Sequence, residues 1–344
     1  MPSLTRKRVI LILSGILLLA ALSLPIGFGI YMVKPGHEMG PDRIFVVREG
    51  STLREVVADL EKRGIIDHKE LLLLWGRVMG YGRKIKAGEY LLNRAMPPIR
   101  VIDILRTGLV VTHKVTVPEG FTMRQIGELL EKKGLLGKEE FLAVTGDPDM
   151  AKKIGISGPN LEGYLYPDTY YLGGRPSAKA IADIMTRQFF EVVEPFQKGI
   201  DESGMSLEEV ITLASIVEKE TGLADERPLI AGVLLNRLNK GMRLESDPTV
   251  IYGISDFNGN LTKKDLAAHT PFNTYLIRGL PLGPIANPGR ESIRAVLNPA
   301  GTACLYFVSK NDGSHHFSAT LSEHNRAVNT YQRKRAQKRS VKRP

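Results

Sequence analysis

Ser206-Leu-Glu-Glu-Val-Ile-Thr-Leu-Ala-Ser-Ile-Val-Glu-Lys-Glu-Thr-Gly222 reads as one helix with both of its ends written into it. Ser206 at the N-cap and Glu209 three residues on form a capping box, in which each side chain satisfies the other residue's free backbone N–H. Gly222 supplies the stop. At about 100° per residue, Leu207, Val210, Ile211, Ala214 and Val217 share one face. Glu218 falls inside that apolar stripe, one turn beyond Ala214, whereas Lys219 and Glu220 point elsewhere. A carboxylate on a buried stripe is costly unless it is protonated or paired. Burial favours the protonated form of a carboxyl group, which suits a general acid near neutral pH. A structural glutamate bonded to a nearby Asn or Tyr fits the same pattern, and periodicity leaves both readings open.

Downstream, Asp225–Lys240 predicts a second helix, with Pro228 near its start and Gly241 after its end. Leu305–Ser309 and His316–Ala319 flank Asn311-Asp-Gly and predict a hairpin. Upstream, a segment occurs twice without gaps at an offset of 70 residues. Phe45-Val-Val-Arg-Glu-Gly-Ser-Thr52, Leu53–Arg63 and Gly64 are matched by Val115-Thr-Val-Pro-Glu-Gly-Phe-Thr122, Met123–Lys133 and Gly134. Each copy reads as a strand, a turn with a hydroxyl cap, an amphipathic helix and a glycine stop. Two copies make a duplication, not a solenoid. The first continues through Leu71–Met79 to a strand at Lys86-Ala-Gly-Glu-Tyr-Leu-Leu92, which completes a small β-α-α-β unit.

The chain has 344 residues, 47 Lys and Arg against 37 Asp and Glu, a formal net charge of +10 and one cysteine, Cys304. That length predicts two or three domains. A single thiol excludes an internal disulfide framework and a Cys-rich zinc site. The basic balance favours acidic partners: nucleic acid, anionic lipid or an anionic polymer. Val9–Val33 is a run of 25 residues without a charge, preceded by Arg6-Lys-Arg8. About 20 apolar residues cross a bilayer as a helix, and basic residues before such a run stay in the cytoplasm. A cleaved signal peptide is the rival, but its apolar core is shorter and the cleavage signal here is poor. The expected layout is a cytoplasmic stub at 1–8, an anchor at 9–33, a linker at 34–43, the β-α-α-β unit at 44–112, a main domain at 113–331 and a basic tail at 332–344. On this topology the main domain lies outside the cytoplasm, at the inner (cytoplasmic) membrane, and nucleic acid is not a partner. The tail holds seven Lys or Arg and reads as disordered, either a solvated tail or a contact with anionic lipid or wall polymer.

Ala214-Ser-Ile-Val-Glu-Lys-Glu-Thr-Gly222 resembles the signature of the endolytic murein transglycosylases of the MltG (YceG-like) family. Leu161-Glu-Gly-Tyr-Leu-Tyr-Pro-Asp-Thr-Tyr170 is similar to a second family block. Asn236-Arg-Leu with Leu244-Glu-Ser-Asp-Pro-Thr-Val-Ile-Tyr-Gly253 is similar to a third. Thr270-Pro-Phe-Asn-Thr-Tyr-Leu-Ile-Arg-Gly-Leu-Pro-Leu-Gly-Pro-Ile-Ala-Asn-Pro-Gly289 is similar to a fourth, and Tyr306-Phe-Val-Ser through Glu323-His-Asn325 to a fifth. The blocks keep the family's order over most of residues 160–327. Tyr166, Phe272 and Leu282 stand where family members often have Phe, Tyr and Pro, and the basic tail is outside the pattern.

The resemblance implies an α+β protein with a single N-terminal transmembrane helix, a small LysM-like unit and a mixed α+β catalytic domain. A LysM-like unit binds N-acetylglucosamine polymers; a plain spacer that positions the main domain is the other reading. It further implies a lytic transglycosylase with no cofactor, which cuts the bond between N-acetylmuramic acid and N-acetylglucosamine inside a peptidoglycan strand and leaves a 1,6-anhydro end. Glu218 is the implied catalytic residue. The implied partners are glycan strands, the membrane and peptidoglycan synthases, with strand termination during elongation as the setting. Polar residues of the blocks are the substrate-binding candidates: Glu162, Tyr166, Asn236, Asp247, Thr249, Asn273, Tyr275 and Asn287. Pro281, Gly283, Pro284, Pro288 and Gly289 predict a rigid loop along the cleft. His315, His316 and His324 lack a carboxylate at ligand spacing, so no metal site is expected. A membrane-anchored scaffold that binds peptidoglycan without cutting it is the alternative function.

Overall fold

The computed structural model describes residues 23, 25–34, 43–108, 112–173 and 176–333. The cytoplasmic stub, most of the expected anchor and linker, and nearly all of the basic tail lie outside these residues. Among the described residues no helix is long and apolar enough to cross a membrane. The chain divides into two compact units, Met1–His113 with Tyr171–Arg175, and Lys114–Tyr170 with Pro176–Pro344. The structure is a mixed α+β one, and among the described residues each sheet has two strands.

The first unit contains β1 (Arg43–Val47), α1 (Leu53–Lys62), α2 (Lys69–Val78), β2 (Gly88–Leu92) and α3 (Pro98–Thr107). Thr52 caps α1 in a reciprocal pair with Glu55. After α1 the backbone turns at Gly64, whose φ of +63° is costly for any residue with a Cβ. The strands β1 and β2 pair antiparallel with Phe45 opposite Tyr90. Phe45, Val47, Tyr90 and Leu92 point inward and pack with Leu60, Leu72, Ile102 and Leu105 of the helices. The period of two in the strands and of 3.6 in the helices thus meet in one apolar core.

The second unit repeats the opening of the first: β3 (Thr112–Thr116), a cap at Thr122 reciprocated by Gln125, α4 (Met123–Lys132) and a turn at Gly134 with φ +68°. It goes on through α5 (Lys138–Thr145), α6 (Pro148–Lys153), β4 (Thr169–Gly173), α7 (Ala178–Val193), α8 (Gln197–Ser203), α9 (Leu207–Glu220) and α10 (Arg227–Asn239). The last part holds α11 (Asp247–Tyr252), α12 (Lys263–Leu266), α13 (Arg290–Leu297), the hairpin β5 (Tyr306–Ser309) and β6 (His315–Ser318), and α14 (Leu321–Val328). The hairpin turns through Asn311 at φ +61° and Gly313 at φ +93°.

The helix α9 is the axis of this unit. Its capping box is present, with the Glu209 carboxylate accepting from the Ser206 N–H at 2.8 Å. The sequence predicts one apolar stripe, but every residue from Val210 to Val217 is buried. The reason is packing on several sides: α10, α11 and α13 all lie against it. The Pro-Gly loop of residues 281–289 runs along it as well. The Ser215 hydroxyl donates to the Thr212 carbonyl at 2.7 Å and accepts the Ile285 N–H at 3.0 Å, which pins that loop to the helix. At Gly163 a Cβ would strike Pro284, so the loop can lie this close only against a glycine.

Candidate active site

At the C-terminal end of α9, Glu218 is turned into the protein and its side chain is 7 % exposed. Its Oε2 accepts the Gly289 N–H at 3.0 Å and the Ser292 hydroxyl at 2.7 Å. Gly289 is the N-cap of α13, so the carboxylate occupies the positive end of that helix, where first-turn N–H groups have no partner of their own. The other oxygen, Oε1, faces the Arg227 guanidinium at 3.5 Å. One oxygen is therefore fixed by two donors, and the other is left to a cation.

A second carboxylate reaches the same arginine. Glu119 Oε2 lies 3.8 Å from Arg227, with the Glu119 side chain 48 % exposed. Burial and then the charge of Glu218 push its pKa up, against the pull of Arg227. A Cβ on Gly289 would collide with the Glu119 carboxylate, so a larger residue at the head of α13 would push that side chain aside. Glu119 comes from the second copy of the repeat and corresponds to Glu49 in the first. Gly120, next to it, takes φ +75° and passes the Glu218 side chain at 3.4 Å from where a Cβ would stand. Lys219 Nζ donates to the Gly120 carbonyl at 3.2 Å. A duplicated strand-turn-helix thus delivers its turn onto the end of α9. The repeat made Glu119 visible in the sequence, but nothing local to it pointed to Glu218, 99 residues away.

The polar candidates separate into groups. Asn287 is fully buried. It accepts the N–H groups of Gly163 and Leu165 at 3.0 and 2.9 Å and donates to the Phe121 carbonyl at 2.8 Å and to Glu162 at 3.0 Å. Glu162 also accepts from the Met123 N–H at 3.0 Å and the Tyr252 hydroxyl at 3.1 Å, and burial pushes it up to about 8 against these donors. Asn236 donates to the carbonyls of Thr302 and Cys304. Thr249 bonds to Ser246 and Thr274, and Asn273 to Leu266 and Ala268. These five side chains make their hydrogen bonds inside the fold, and Asn287 and Glu162 tie the Phe121 and Gly163 segments to the loop that ends at Gly289. Tyr166 is different: burial first, and then the charges of Glu119 and Asp168, push the pKa of its hydroxyl up, against the pull of Arg290.

Two cavities flank the end of α9. One of about 750 Å³ is lined by Thr122, Glu162, Lys219 and Tyr252. The other, about 400 Å³, is lined by Glu220, Asp247, Tyr275 and His315. Glu220 does face away from Glu218, yet it is no solvated bystander. It accepts the Ser246 hydroxyl at 2.5 Å, and burial pushes it up to about 7. Tyr275 donates to Asp247 at 2.6 Å on the same wall. His315 is bound to Glu226, while the rings of His324 and His316 lie against Tyr306 and Tyr331. Among the described residues no group of three or more His, Cys, Asp or Glu side chains is placed to hold a metal ion.

A buried glutamate is thus fixed through one oxygen at a helix N-terminus and faces an arginine with the other, and that arginine also reaches a second carboxylate. The chain belongs to the YceG-like family, whose model matches residues 45–330. It is 31 % identical over 301 residues to the endolytic murein transglycosylase of Bacillus subtilis (strain 168), covering 83 % of each chain. It is 29 % identical over 314 residues to the endolytic murein transglycosylase of Streptococcus pneumoniae serotype 2, covering 82 % of this chain and 57 % of that one. A crystal structure of a YceG-like protein from Listeria monocytogenes superposes with a TM-score of 0.59 at 31 % identity, over 84 % of this chain and all of that one.

Proposed function

We propose that the protein is an endolytic lytic transglycosylase that cuts peptidoglycan strands between N-acetylmuramic acid and N-acetylglucosamine, with Glu218 as its acid and base. The observation that carries the reading is the asymmetric holding of Glu218. Gly289 and Ser292 fix Oε2, so Oε1 is the atom that exchanges the proton. Relatives at 29–31 % identity that bear the transglycosylase name support it.

In the reaction, protonated Glu218 gives its proton to the glycosidic oxygen as the bond from that oxygen to C1 breaks. The resulting carboxylate then takes the proton of the C6 hydroxyl on the same sugar, and that oxygen closes onto C1. Glu218 ends as it began, one bond has broken and one has formed, and no water enters. Hydrolytic glycosidases need a second carboxylate to activate water or to attack. Here the nucleophile is already in the ring and gains from proximity. The second carboxylate is then free for another task, and Glu119 is placed for it: as an anion it faces the positive charge that grows on C1. Arg227 keeps two carboxylates together that would otherwise repel each other.

The same reading takes Val9–Val33 as a single-pass anchor of the cytoplasmic membrane, with both units outside the cytoplasm. It takes the β-α-α-β unit as a LysM-like module that holds glycan, and peptidoglycan synthases as neighbours whose nascent strands are cut. Digestion of purified glycan strands followed by mass analysis of the ends tests the reaction. Ends lighter by one water than reducing ends are expected. Reducing ends as the main product would assign hydrolysis, and intact strands that remain bound would assign the scaffold.

A further inference from the structure

The described end of the expected anchor does not stand free of the first unit. Residues 25–33 are helical, and one side of that helix is used up on the unit's own core. The Phe28 ring lies 6.0 Å from Trp75 of α2. The Tyr31 hydroxyl donates to the His68 carbonyl at 3.0 Å and accepts the His68 N–H at 3.3 Å. Met32 is buried. The opposite side carries Ile26, Ile30 and Val33 at helical spacing, with Ile26 and Val33 each 62 % exposed. Next to Trp75, α2 turns Leu74 and Val78 outward, and Met79 follows them; Val78 is 70 % exposed.

Single exposed apolar residues are ordinary on a soluble surface. Six large ones on two helices in contact with each other are a patch of the kind that marks an interaction site. What covers it is indicated by the chain itself, because one of the two helices is the end of an uncharged run of 25 residues. If residues 28–33 are spent on the unit's surface, residues 9–27 remain to cross. At about 1.5 Å per residue they span about 28 Å, close to the hydrocarbon thickness of about 30 Å. The rim of the patch fits the same surface. Lys34 and Arg77, next in the chain to Val33 and Val78, are exposed and would meet anionic headgroups, while the exposed Glu70 lies one turn before Leu74 at the far end of the helix. Trp75 and Tyr31, part-buried between the helices, are the residue types that concentrate at the headgroup level.

We infer that this face of the first unit, formed by the outer sides of residues 28–33 and of α2, lies in the headgroup–acyl boundary of the bilayer. The unit is then docked on the membrane and does not swing from it on a free linker. The inference rests on the proposed anchor and commits to lipid as the occupant. The binding mode is that of an interfacial helix, with an apolar side inserted and basic residues at the rim.

Trp75 is the one tryptophan of the chain, so its emission reports this site without labelling. The full chain is reconstituted into vesicles of phosphatidylcholine and phosphatidylglycerol that carry bromine either near the top of the acyl chain or near its end. Retention of the protein after alkaline carbonate is measured in the same samples. The expected result is retention with strong quenching by the shallow bromine, weaker quenching by the deep one, and loss of the shallow quenching in Leu74→Glu/Val78→Glu. Both positions are exposed, so the variant keeps its fold, and the wild-type depth dependence is decisive without it. Retained protein whose Trp75 emission is unaffected by either label overturns the seating and leaves the anchor standing. Release by alkali overturns the anchor and the seating with it.

Discussion

Replacing Glu119 by Gln removes one charge and almost no volume, so it isolates what the second carboxylate does. Two unit charges about 5 Å apart attract by about 3 kcal/mol at the effective dielectric of about 20 that suits a site near the surface. The Glu119 side chain is 48 % exposed, so solvent screening reduces this by about half. A loss of about 1.5 kcal/mol in the transition state slows turnover about 10-fold. The loss belongs in kcat, because the positive charge on C1 exists only as the bond breaks. Steady-state digestion of defined glycan oligomers over a range of concentrations separates kcat from KM. Glu119→Asp should retain an intermediate rate. The acid side of the pH profile supplies a second readout. The pKa of Glu119 is raised by burial and by Glu218, so protonation of Glu119 contributes to the loss of rate at low pH, and that contribution vanishes in Glu119→Gln. A variant with unchanged kcat and a higher KM would refute the electrostatic role and leave Glu119 as a binding group.

Ser292→Ala takes away one of the two donors that fix Glu218 Oε2. It should cost about 1.5–3 kcal/mol of stability, as for a hydrogen bond to a charged group, and slow turnover about 10-fold because the carboxyl group is no longer oriented; thermal melts and kcat measured together check both. Asn287→Ala strands the Gly163 and Leu165 N–H groups in the interior, while the Phe121 carbonyl keeps the backbone N–H of residue 287 at 2.9 Å. At roughly 1–3 kcal/mol for each unsatisfied group, a loss of at least about 2 kcal/mol is expected in denaturant unfolding. Stability should also fall with rising pH. Glu162 and Glu220 have folded values of about 8 and about 7 against 4.5 for the free group. The folded state thus holds these protons more tightly, and the stability this gives is complete below about 4.5 and is lost as pH rises through about 7 and about 8. Melting temperatures from pH 5 to pH 9 should decline, and less steeply in Glu162→Gln.

The local features were legible because they are short-range. The capping pair Ser206 and Glu209 and the repeat's hydroxyl caps at Thr52 and Thr122 act within one turn, so their spacing is enough to place a helix start. The inward aim of Glu218 followed from helical period in the same way. What surrounds Glu218 did not follow, because Gly289, Ser292, Arg227 and Glu119 arrive from three separate parts of the chain. The single-stripe reading of α9 failed for a related reason: period assigns one face to the core and cannot count the helices that pack on the others. The polar candidates show a further limit. Asn236, Thr249, Asn273 and Asn287 have the chemistry of sugar-binding residues, but the same amides and hydroxyls satisfy buried backbone groups, and the sequence does not distinguish a sugar hydroxyl from a carbonyl as the partner. Glu220 was read only as facing away from Glu218; the cavity it lines is closed by Tyr275 and His315 from distant segments.

The most direct test of the account is the product of Glu218→Gln, measured by mass analysis of digested glycan strands beside wild type and Glu220→Gln. Gln keeps the shape and an acceptor for Gly289 and Ser292 but cannot exchange a proton, a function typically worth about 10²–10⁴-fold. The account predicts 1,6-anhydro ends from wild type, far smaller losses in Glu220→Gln, and almost no new ends from a well-folded Glu218→Gln. Near-normal formation of anhydro ends by Glu218→Gln would contradict it.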